Sequence, residues 1–351
     1  MKIYHVIGLM SGTSLDGLDI CHAKFSYPSY DFQIVEAETI TYNQEWKNRL
    51  KNSIYLSAEK LQELHSDYGF FLGEAVYRFI KDKNIKNIDC IASHGHTVFH
   101  NPKSRYTLQI GHGAAIAAKT CIRTVCDFRA QDVLLGGQGA PLVPIGDQLL
   151  FPQYDACLNL GGFSNISFNQ NGKRTAFDVC PVNIVLNFIA KLENQDFDRD
   201  GILARKGKII LPLLNKLNKL EYYSLLPPKS LGIEWCVKNI FSLIENSEES
   251  AEDLLATFTL HIAEKIAETI NSNHLKNVLT TGGGAKNPFL MELIKAKNPA
   301  EIFIPDEELI DFKEALIFAF MGMLRLENQV NILSSVTGAV KNHSSGIIYD
   351  P

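Results

Sequence analysis

The sequence predicts an α/β protein with two lobes, and three observations support this prediction. Two glycine-containing turns of similar construction lie about one domain length apart, and each separates two apolar runs typical of β-strands. Elsewhere, strand-like runs alternate with segments that carry apolar residues at helical spacing, which is the pattern of α/β proteins. With 351 residues, the chain is also too long for one ordinary hydrophobic core and suits two.

Both glycine turns are predicted to be hairpin tips. The first joins residues 5–10 to 18–25, and the second joins residues 156–160 to 166–168. The tip residues are Gly12, Thr13, Ser14, Leu15, Asp16, Gly17, Leu18 and Asp19 in the first turn, and Gly161, Gly162, Ser164 and Asn165 in the second. Small tips of this kind present backbone N–H groups without obstruction, as loops that bind phosphate do. Two such loops facing each other across a cleft would clamp a polyphosphate.

A third glycine cluster has a different context. Gly282, Gly283 and Gly284 follow a strand-like run and precede a helix-like run, and a flat heteroaromatic ring can lie on such a bare turn. Taken in order, the three turns resemble the ATPase superfamily shared by sugar kinases, heat-shock ATPases and actin. The resemblance implies ATP as cofactor and two actin-like (ribonuclease H-like) lobes with a central cleft. We expect domain I over residues 1–129 and 332–351, and domain II over residues 130–331.

The principal helices and strands follow from spacing and capping residues. Helices are predicted over residues 57–83 with Ser57 as N-cap, from Ser250 with Asp253 completing a capping-box-like start, and over residues 311–328. Further strands are predicted over residues 88–92, 278–281 and 301–305.

Composition excludes several classes of protein. A net charge of −5 and a pI near 6.1 argue against a nucleic-acid surface, which needs clustered Lys and Arg. The sequence shows no secretion signal and no apolar stretch near the ~20 residues of a membrane span, so we expect a cytoplasmic protein without a membrane partner. Seven cysteines without a C-x-x-C pair indicate neither a disulfide framework nor a zinc site. His94, His96 and His100 share no helical face and do not predict a metal centre.

Longer segments throughout the chain resemble one family, the anhydro-N-acetylmuramic acid kinases. The matching segments are residues 8–19, 93–95 with Thr97 and His100, 107–111, 127–129, 136–144, 227–230, 311–326 and 336–339. The resemblance implies transfer of the γ-phosphate of ATP to O6 of the amino sugar 1,6-anhydro-N-acetylmuramic acid. Water opens the internal 1,6-bridge in the same reaction, which gives N-acetylmuramic acid 6-phosphate and recycles a cell-wall sugar.

The general base implied by this resemblance is Asp178. It lies between a strand-like run and a predicted helix start, from where a carboxylate can point into a cleft and take a proton from the water that attacks C1. From the residues alone, an N-cap acid is an equal alternative, and the resemblance favours the base. The sequence departs from the family at Cys180 and Val182, where glycines are usual. Side chains there are expected to affect how closely the loop approaches the sugar.

The first hairpin is expected to bind phosphate and metal. Thr13 and Ser14 would donate hydrogen bonds to the γ-phosphate, and Asp16 or Asp19 would hold Mg²⁺. The residues alone do not separate these two acids. For both, a turn residue that accepts from its own backbone is the alternative.

The resemblance assigns further residues to the sugar. Arg129 suits a carboxylate or developing negative charge, and an exposed ion pair is the alternative. Glu314 resembles a substrate-contacting acid, and the alternative is an early-helix Glu stabilised by the helix dipole. The matching positions of His94, Gly95 and Asn183 are also expected to contact the substrate.

Two other functions remain open at this stage. A kinase for another amino sugar, without ring opening, is compatible with departures at His96 and at Gly146-Asp147, where the family usually has Gln and an aromatic-His pair. An ATP-gated binding or filament protein of the same superfamily would need a client-binding domain or a repeating contact surface. The residues leave the oligomeric state open between a monomer and a homodimer.

Overall fold

The chain divides into two compact units. The computed structural model describes residues 1–12 and 15–351. Unit 1 comprises Met1–Leu150 and Phe312–Pro351, and unit 2 comprises Phe151–Asp311. Residues 130–150 and 312–331 therefore pack with the first unit and not with the predicted second domain. Ring packing illustrates the reason, because Phe320 lies against Phe25 of the first sheet with 5.4 Å between ring centroids.

Strands and helices alternate along the chain as predicted. Within the described residues, the strands are β1 (Lys2–Ser11), β2 (Gly17–Tyr27), β3 (Phe32–Thr41), β4 (Cys90–Ser93), β5 (His96–Asn101), β6 (Tyr106–Ile110), β7 (Thr124–Cys126), β8 (Ala156–Leu160), β9 (Phe163–Gln170), β10 (Lys173–Pro181), β11 (Asn277–Thr281), β12 (Glu301–Phe303) and β13 (Ile347–Tyr349). The α-helices are α1 (Gln44–Lys51), α2 (Ala58–Asp82), α3 (Gly113–Thr120), α4 (Ala130–Leu134), α5 (Pro144–Leu150), α6 (Asn183–Ala190), α7 (Ile202–Lys206), α8 (Leu211–Asn218), α9 (Ile233–Cys236), α10 (Ser242–Glu245), α11 (Ala251–Ser272), α12 (Pro288–Lys297), α13 (Glu307–Leu326) and α14 (Ser334–Thr337).

The two larger sheets repeat one topology. In the first unit, the strand order is β13-β7-β4-β1-β2-β3, with β1 to β3 antiparallel and β4 and β7 parallel to β1. In the second unit, the order is β10-β9-β8-β11-β12, with the same change from antiparallel to parallel pairing at β8. The two predicted hairpins join β1 to β2 and β8 to β9. This repeated mixed sheet, packed against helices, is the ribonuclease H-like architecture, and the predicted α/β fold class is confirmed.

Two glycines allow α13 to pack closely on the first sheet. A Cβ atom added at Gly8 in β1 would lie 1.9 Å from the carbonyl oxygen of Ala315. One added at Gly322 in α13 would lie 2.6 Å from the Cβ of Ala92 in β4. Side chains at these positions would push the helix away from the strands, since real Cβ contacts are not this short.

Capping explains where the helices begin. Ser57 and Ser250 accept hydrogen bonds from backbone N–H groups in the first turns of α2 and α11, as predicted. The capping box at α11 is incomplete, because the Asp253 carboxylate accepts from the N–H of Lys208. Helix α13 begins at Glu307, four residues before the predicted start at 311. The reason is the Asp306 carboxylate, which accepts from the N–H of Leu309 at 2.9 Å and caps the earlier turn.

Helix α11 packs its apolar face into the core of the second unit. The predicted stripe of this helix is buried and comprises Leu254, Phe258, Ile262, Ile266 and Ile270. Over the residues that the structure describes, no helix combines the length and hydropathy needed to cross a membrane.

Candidate active site

A β-bulge in β10 sets the position of Asp178. In the pairing with β9, Asp178 lies opposite Asn165 and Cys180 lies opposite Ser164, so Val179 is the extra residue of the bulge. The Ser164 hydroxyl accepts from the N–H of Cys180 at 3.1 Å and donates to its carbonyl oxygen at 3.0 Å. Bulges turn the side chains beside them and occur often next to active sites. The bulge therefore gives Asp178 a direction that a regular strand would not.

Ser164 has a structural role that the sequence did not indicate. Its side chain is fully buried, and its hydroxyl already donates and accepts at Cys180. Its hydroxyl is therefore engaged within the hairpin, and the prediction that Ser164 belongs to a phosphate-binding tip concerns its backbone. No local sequence signal gives this pairing, because it depends on the register between two strands.

The side chains at the two departures from the family pattern point into the core. Cys180 and Val182 are both fully buried in the second unit. Burial raises the pKa of the Cys180 thiol to about 12, so the thiol is protonated and unsuited to nucleophilic attack. The expectation that these side chains hinder approach of the loop is thus not supported, since neither reaches the surface.

A single segment forms hydrogen bonds with three polar groups of Asp178. The backbone N–H of Asp178 donates to the carbonyl oxygen of Lys229 at 3.2 Å, and its own carbonyl oxygen accepts from the Tyr222 hydroxyl at 2.6 Å. Its carboxylate oxygen Oδ2 accepts from the N–H of Leu231 at 2.8 Å. Among the described residues, Oδ1 has no hydrogen-bond donor. This segment, residues 222–231, fixes the carboxylate and leaves one oxygen available for a reacting group.

The environment of Asp178 suits proton transfer. Burial raises the pKa of its carboxyl above the ordinary Asp value, and the hydrogen bond from Leu231 acts in the opposite direction. A general base works best when its pKa is nearer the operating pH. Asp178 is also not the N-cap of α6, because that position is occupied by Val182. The alternative of a capping acid is therefore wrong.

The second hairpin presents free backbone N–H groups. The carbonyl oxygen of Gly162 accepts from Val182 at 2.8 Å and from Ile184 at 3.2 Å, and that of Gly161 accepts from Asn183 at 3.2 Å. In the part of the chain that the structure describes, the N–H groups of the two glycines have no acceptor. A Cβ atom added at Gly162 would have no neighbour closer than 4.0 Å, so the tip is open. Open N–H groups of this kind can bind phosphate oxygens.

The third glycine turn packs directly on the second hairpin. Gly282 has a φ of +84°, and an added Cβ atom would lie 2.6 Å from Oδ1 of Asn159. One added at Gly284 would lie 2.8 Å from the Cβ of Leu160. The predicted adenosine turn and the predicted phosphate turn therefore lie side by side in unit 2, which is the arrangement that one nucleotide needs.

Asn183 lies beside this nucleotide arrangement. Its side-chain amide donates to the carbonyl oxygen of Leu160 at 3.2 Å, and its nitrogen lies 3.6 Å from a Cβ atom added at Gly283. These contacts support a role in holding the two glycine turns together. They do not support the predicted contact with the sugar.

The first hairpin tip is only partly described, since Thr13 and Ser14 lie outside the described residues. Leu15 has a φ of +61°, and the backbone of Asp16 accepts a hydrogen bond from the N–H of Tyr42 at 3.4 Å. A Cβ atom added at Gly17 would lie 2.7 Å from the carbonyl oxygen of Ile40. Gly17 therefore permits close pairing of β2 and β3, whereas the Asp16 side chain is exposed.

Asp19, one of the two candidate metal acids, interacts with other charged groups of unit 1. Asp19 accepts from the hydroxyl of Thr39 at 2.6 Å, and its negative charge raises the pKa of Glu314. Desolvation by the surrounding protein is the larger cause of the rise in the pKa of Glu314, and the charge of Arg129 lowers this pKa. Asp19, Glu314 and Arg129 thus form one electrostatic cluster in unit 1. Asp19 is the candidate ligand for a cation on which the proposal below rests, because its charge acts on this cluster.

The helix dipole does not explain Glu314. Because α13 begins at Glu307, Glu314 lies two turns into the helix. The dipole acts mainly on charges within the first turn. Its electrostatic interactions with Arg129 and Asp19 therefore point to a different role.

Arg129 is held by neutral acceptors. Its Nε–H donates to Nε2 of His94 at 2.9 Å, and Nη1 donates to the carbonyl oxygen of Gly139. Burial lowers the pKa of Arg129 to about 10, opposed by the charges of Glu314 and Asp132, so the guanidinium stays charged at neutral pH. The alternative of an exposed ion pair is wrong, because the side chain is half-buried and its bonds go to uncharged groups.

His94 is fixed as a neutral acceptor for this arginine. Its Nδ1–H donates to the carbonyl oxygen of Gly95 at 2.9 Å, which leaves Nε2 to accept from Arg129. Burial holds the pKa of His94 well below its usual value, in agreement with a neutral ring. Both ring nitrogens are engaged, so His94 orients Arg129 and does not offer a free nitrogen to a ligand. Gly95 adopts a φ of +74°, which favours glycine.

Asp132 is a structural residue that the sequence analysis did not single out. Its buried carboxylate accepts from the N–H of Gly139 at 2.7 Å and from the hydroxyl of Thr337 at 2.8 Å. It therefore connects two of the matching motifs, residues 136–144 and 336–339. The sequence offered one signal for this role: Asp132 lies three residues after Arg129. Both side chains bond the backbone of Gly139.

The departure at residues 146 and 147 is accommodated by α13. A Cβ atom added at Gly146 would lie 2.5 Å from the side chain of Ile317. The Asp147 carboxylate forms a buried ion pair with Lys313 at 2.7 Å. The small residue Gly146 therefore leaves room for α13, and the acid Asp147 pairs with a lysine of this helix, which also carries Glu314.

The repeated ribonuclease H-like sheet, the paired glycine hairpins and the held carboxylate define a phosphotransferase of the actin-like ATPase class. The chain belongs to the anhydro-N-acetylmuramic acid kinase family, whose model matches residues 4–351. It is similar to the anhydro-N-acetylmuramic acid kinase of Mannheimia succiniciproducens, with 35% identity over 373 residues and 99% of each chain covered. It is also similar to that of Vibrio cholerae, with 33% identity over 365 residues and 98% of each chain covered.

Among solved structures, one similar backbone is the activator of the 2-hydroxyisocaproyl-CoA dehydratase from Clostridium difficile with bound ADPNP. The TM-score is 0.45 and the identity 14%, with 92% of this chain and 97% of that chain covered. Another is a ROK family glucokinase from Streptomyces griseus in complex with glucose and AMPPNP. Here the TM-score is 0.43 and the identity 10%, with 90% and 98% covered.

Proposed function

We propose that this enzyme phosphorylates 1,6-anhydro-N-acetylmuramic acid at O6 with ATP while water opens the 1,6-anhydro ring. The products are N-acetylmuramic acid 6-phosphate and ADP, and the reaction belongs to peptidoglycan recycling. Family membership over residues 4–351 carries this proposal. The observation of the structure that supports it best is Asp178, held by residues 222–231 with Oδ1 available.

Asp178 has the role of general base. Its carboxylate would accept the proton of the water that attacks C1, and its raised pKa favours this transfer. Positioned general bases contribute about 10²- to 10⁴-fold in rate. The bulge and two hydrogen bonds fix the backbone of Asp178, and the hydrogen bond from Leu231 orients its carboxylate, which lowers the entropic part of the barrier.

The nucleotide would be held by the glycine turns. In unit 2, we assign phosphate oxygens to the N–H groups of Gly161 and Gly162 and the adenosine to the turn at residues 282–284. In unit 1, the family resemblance assigns phosphate binding to the first hairpin, residues 12–19. The packing of the turn at residues 282–284 on the second hairpin supports the assignment within unit 2.

Asp19 would hold Mg²⁺. The fit is supported by its electrostatic interaction with Glu314, because the charge of Asp19 raises the pKa of Glu314 and a nearby cation would relieve this repulsion. No group of three metal-ligating side chains occurs among the described residues. A single carboxylate with phosphate oxygens and water is a usual set of ligands for this ion. When bound, Mg²⁺ neutralises charge on the phosphate oxygens.

Arg129 would contact the negatively charged part of the sugar. Its guanidinium is oriented by His94 and Gly139 and stays charged, so it can pair with the lactyl carboxylate. Glu314 is the neighbouring acid and would accept hydrogen bonds from sugar hydroxyl groups.

Isotope labelling tests the reaction. The enzyme is incubated with Mg-ATP and the anhydro sugar in H₂¹⁸O, and the product is analysed by mass spectrometry. The proposal expects one ¹⁸O atom at C1 and none in the new phosphate ester bond. An unlabelled phosphorylated anhydro sugar would indicate a kinase without ring opening, and ADP formation independent of any sugar would indicate an ATP-gated protein.

A further inference from the structure

A chain of buried hydrogen bonds lies beside the first phosphate hairpin. The hydroxyls of Tyr68 and Tyr42 are 2.6 Å apart, the Tyr42 hydroxyl donates to Ser11 at 2.8 Å, and Ser11 lies 3.2 Å from Nδ1 of His96. At most 5% of each of these residues is exposed. Ser11 is the last residue of β1, so the chain ends directly at the hairpin tip.

The hydrogen bonds from Tyr68 to Ser11 run in one direction. Because the Tyr42 hydroxyl donates to Ser11, Tyr68 must donate to Tyr42. The tautomer of His96 then decides whether the Ser11 hydroxyl donates to Nδ1 or accepts from it. His96 accepts through Nδ1 only as a neutral ring with its proton on Nε2. Burial lowers the pKa of His96 to about 4, which is consistent with this form.

Tyr42 contacts the hairpin tip from both sides. Its hydroxyl bonds Ser11 at the end of the strand that enters the tip, and its backbone N–H donates to the carbonyl oxygen of Asp16, the tip residue just before β2, at 3.4 Å. Its ring packs against Phe71 of α2, with 5.9 Å between ring centroids. Tyr42 thus connects both ends of the tip to a long helix.

We propose that Tyr42 is a positioning residue for ATP, acting through Ser11 and Asp16 on the first phosphate hairpin. This inference rests on the proposed function, in which that hairpin binds phosphate. Backbone donors bind a phosphate well only when their positions are fixed in advance, and small displacements weaken binding. Removing the hydroxyl would free the entering strand at Ser11 without changing any group that contacts the sugar.

The test measures KM separately for the two substrates. For Tyr42→Phe we expect the KM for ATP to rise by about three- to tenfold, as for loss of one hydrogen bond. The KM for the sugar should be unchanged. The control is Tyr55→Phe, which removes the hydroxyl of a tyrosine that is 80% exposed and should leave both constants unchanged. A merely structural role would lower the active fraction and so kcat, with both KM values at the wild-type level, and that result would overturn the inference.

Two further variants keep the inference testable if Tyr42→Phe does not fold. Ser11→Ala breaks the same link and should give the same rise in the KM for ATP, and in the double variant the two effects should not add. His96→Gln keeps an acceptor for Ser11 and should have a near-normal KM for ATP, whereas His96→Leu should not. Additive effects, or equal behaviour of the two His96 variants, would contradict the inference. A wild-type enzyme that forms no ADP with Mg-ATP and sugar would instead contradict the proposed function.

Discussion

At the residue scale, the surroundings of Asp178 combine a strand irregularity with a neighbouring loop. The bulge between Asp178 and Cys180 turns the carboxylate, Leu231 donates to it, and Tyr222 and Lys229 hold the backbone of Asp178. Burial then raises its pKa. The same surroundings that suit a base also disfavour the charged carboxylate in the folded protein.

Replacing this carboxylate should remove activity without unfolding the protein. For Asp178→Asn we expect kcat to fall by about 10²- to 10⁴-fold, because the amide cannot accept the proton of water. The amide oxygen can still accept from Leu231, so the melting temperature should be equal to or above that of the wild type at pH 7. Asp196→Asn, at an exposed position of the same unit, is the matched control for both assays. A large drop in melting temperature would show that Asp178 is needed for the fold.

The pH dependence follows from the direction of the same shift. Asp178 must be ionised to act, so kcat/KM should fall as the pH falls through an apparent pKa above the ordinary Asp value of about 3.9. Stability has the opposite sign: a raised carboxyl pKa contributes stability at low pH that is lost as the pH rises through that pKa. Steady-state rates measured between about pH 4 and 8, where carboxyl and His groups titrate, would show this fall of kcat/KM on the acidic side of the pH profile. A flat profile would contradict a role for this base.

At the scale of elements, the proposed nucleotide site of unit 2 depends on the contact between two turns. The Gly282 turn after β11 packs on the β8–β9 hairpin so closely that no side chain fits at the first glycine. Strand order makes this contact possible, because β11 pairs with β8 in parallel. The ends of both strands therefore meet at the same edge of the sheet.

A pair of glycine substitutions can separate backbone strain from this contact. Gly172 also has a positive φ, +75°, but an added Cβ atom there would have no neighbour within 4 Å. Gly172→Ala should therefore cost only the strain of the left-handed backbone, about 1–2 kcal/mol. Gly282→Ala should cost about 1–3 kcal/mol more because of overpacking, and should also weaken ADP binding. Urea unfolding and calorimetric titration measure the two effects. Equal stabilities and affinities of the two variants would contradict the proposed packing role.

At the scale of the whole molecule, each unit contains a sheet of one topology and its own candidate ligand groups. Unit 1 holds Arg129, Asp19 and Glu314, and unit 2 holds Asp178 and the proposed adenosine turn, residues 282–284. Glu314 follows Phe312, the residue at which the chain returns to the first unit, within one continuous helix. A ligand that binds the native protein but not the unfolded chain stabilises the protein against unfolding.

Nucleotide and metal should raise the melting temperature together. At a concentration 100 times its Kd, ADP should add about 2.7 kcal/mol to the free energy of unfolding. The proposed role of Asp19 predicts that excess EDTA reduces this gain and that Asp19→Asn reduces it in the same way. Thermal melts with ADP, with Mg-ADP and with ADP and EDTA provide the comparison. Equal melting curves in all conditions would contradict nucleotide binding.

Much of the fold could be predicted from local features. Glycine turns between apolar runs, serine N-caps and apolar stripes depend on neighbours in sequence, so the hairpins, α2 and α11 were predicted correctly. The start of α13 was placed too late because Asp306 was not recognised as its cap. The predicted domain boundaries differ from the units because they depend on which sheet α13 packs against.

The sequence by itself determined the α/β class, the glycine turns and the candidate residues, because backbone conformation and side-chain chemistry are properties of single residues and their neighbours. Only the tertiary structure decided how those residues are used. It engages the Ser164 hydroxyl at the bulge, makes His94 an acceptor for Arg129, and lets the charge of Asp19 act on Glu314. The physical reason is that hydrogen bonds and charge interactions between distant residues depend on strand register and helix packing, which no local pattern specifies.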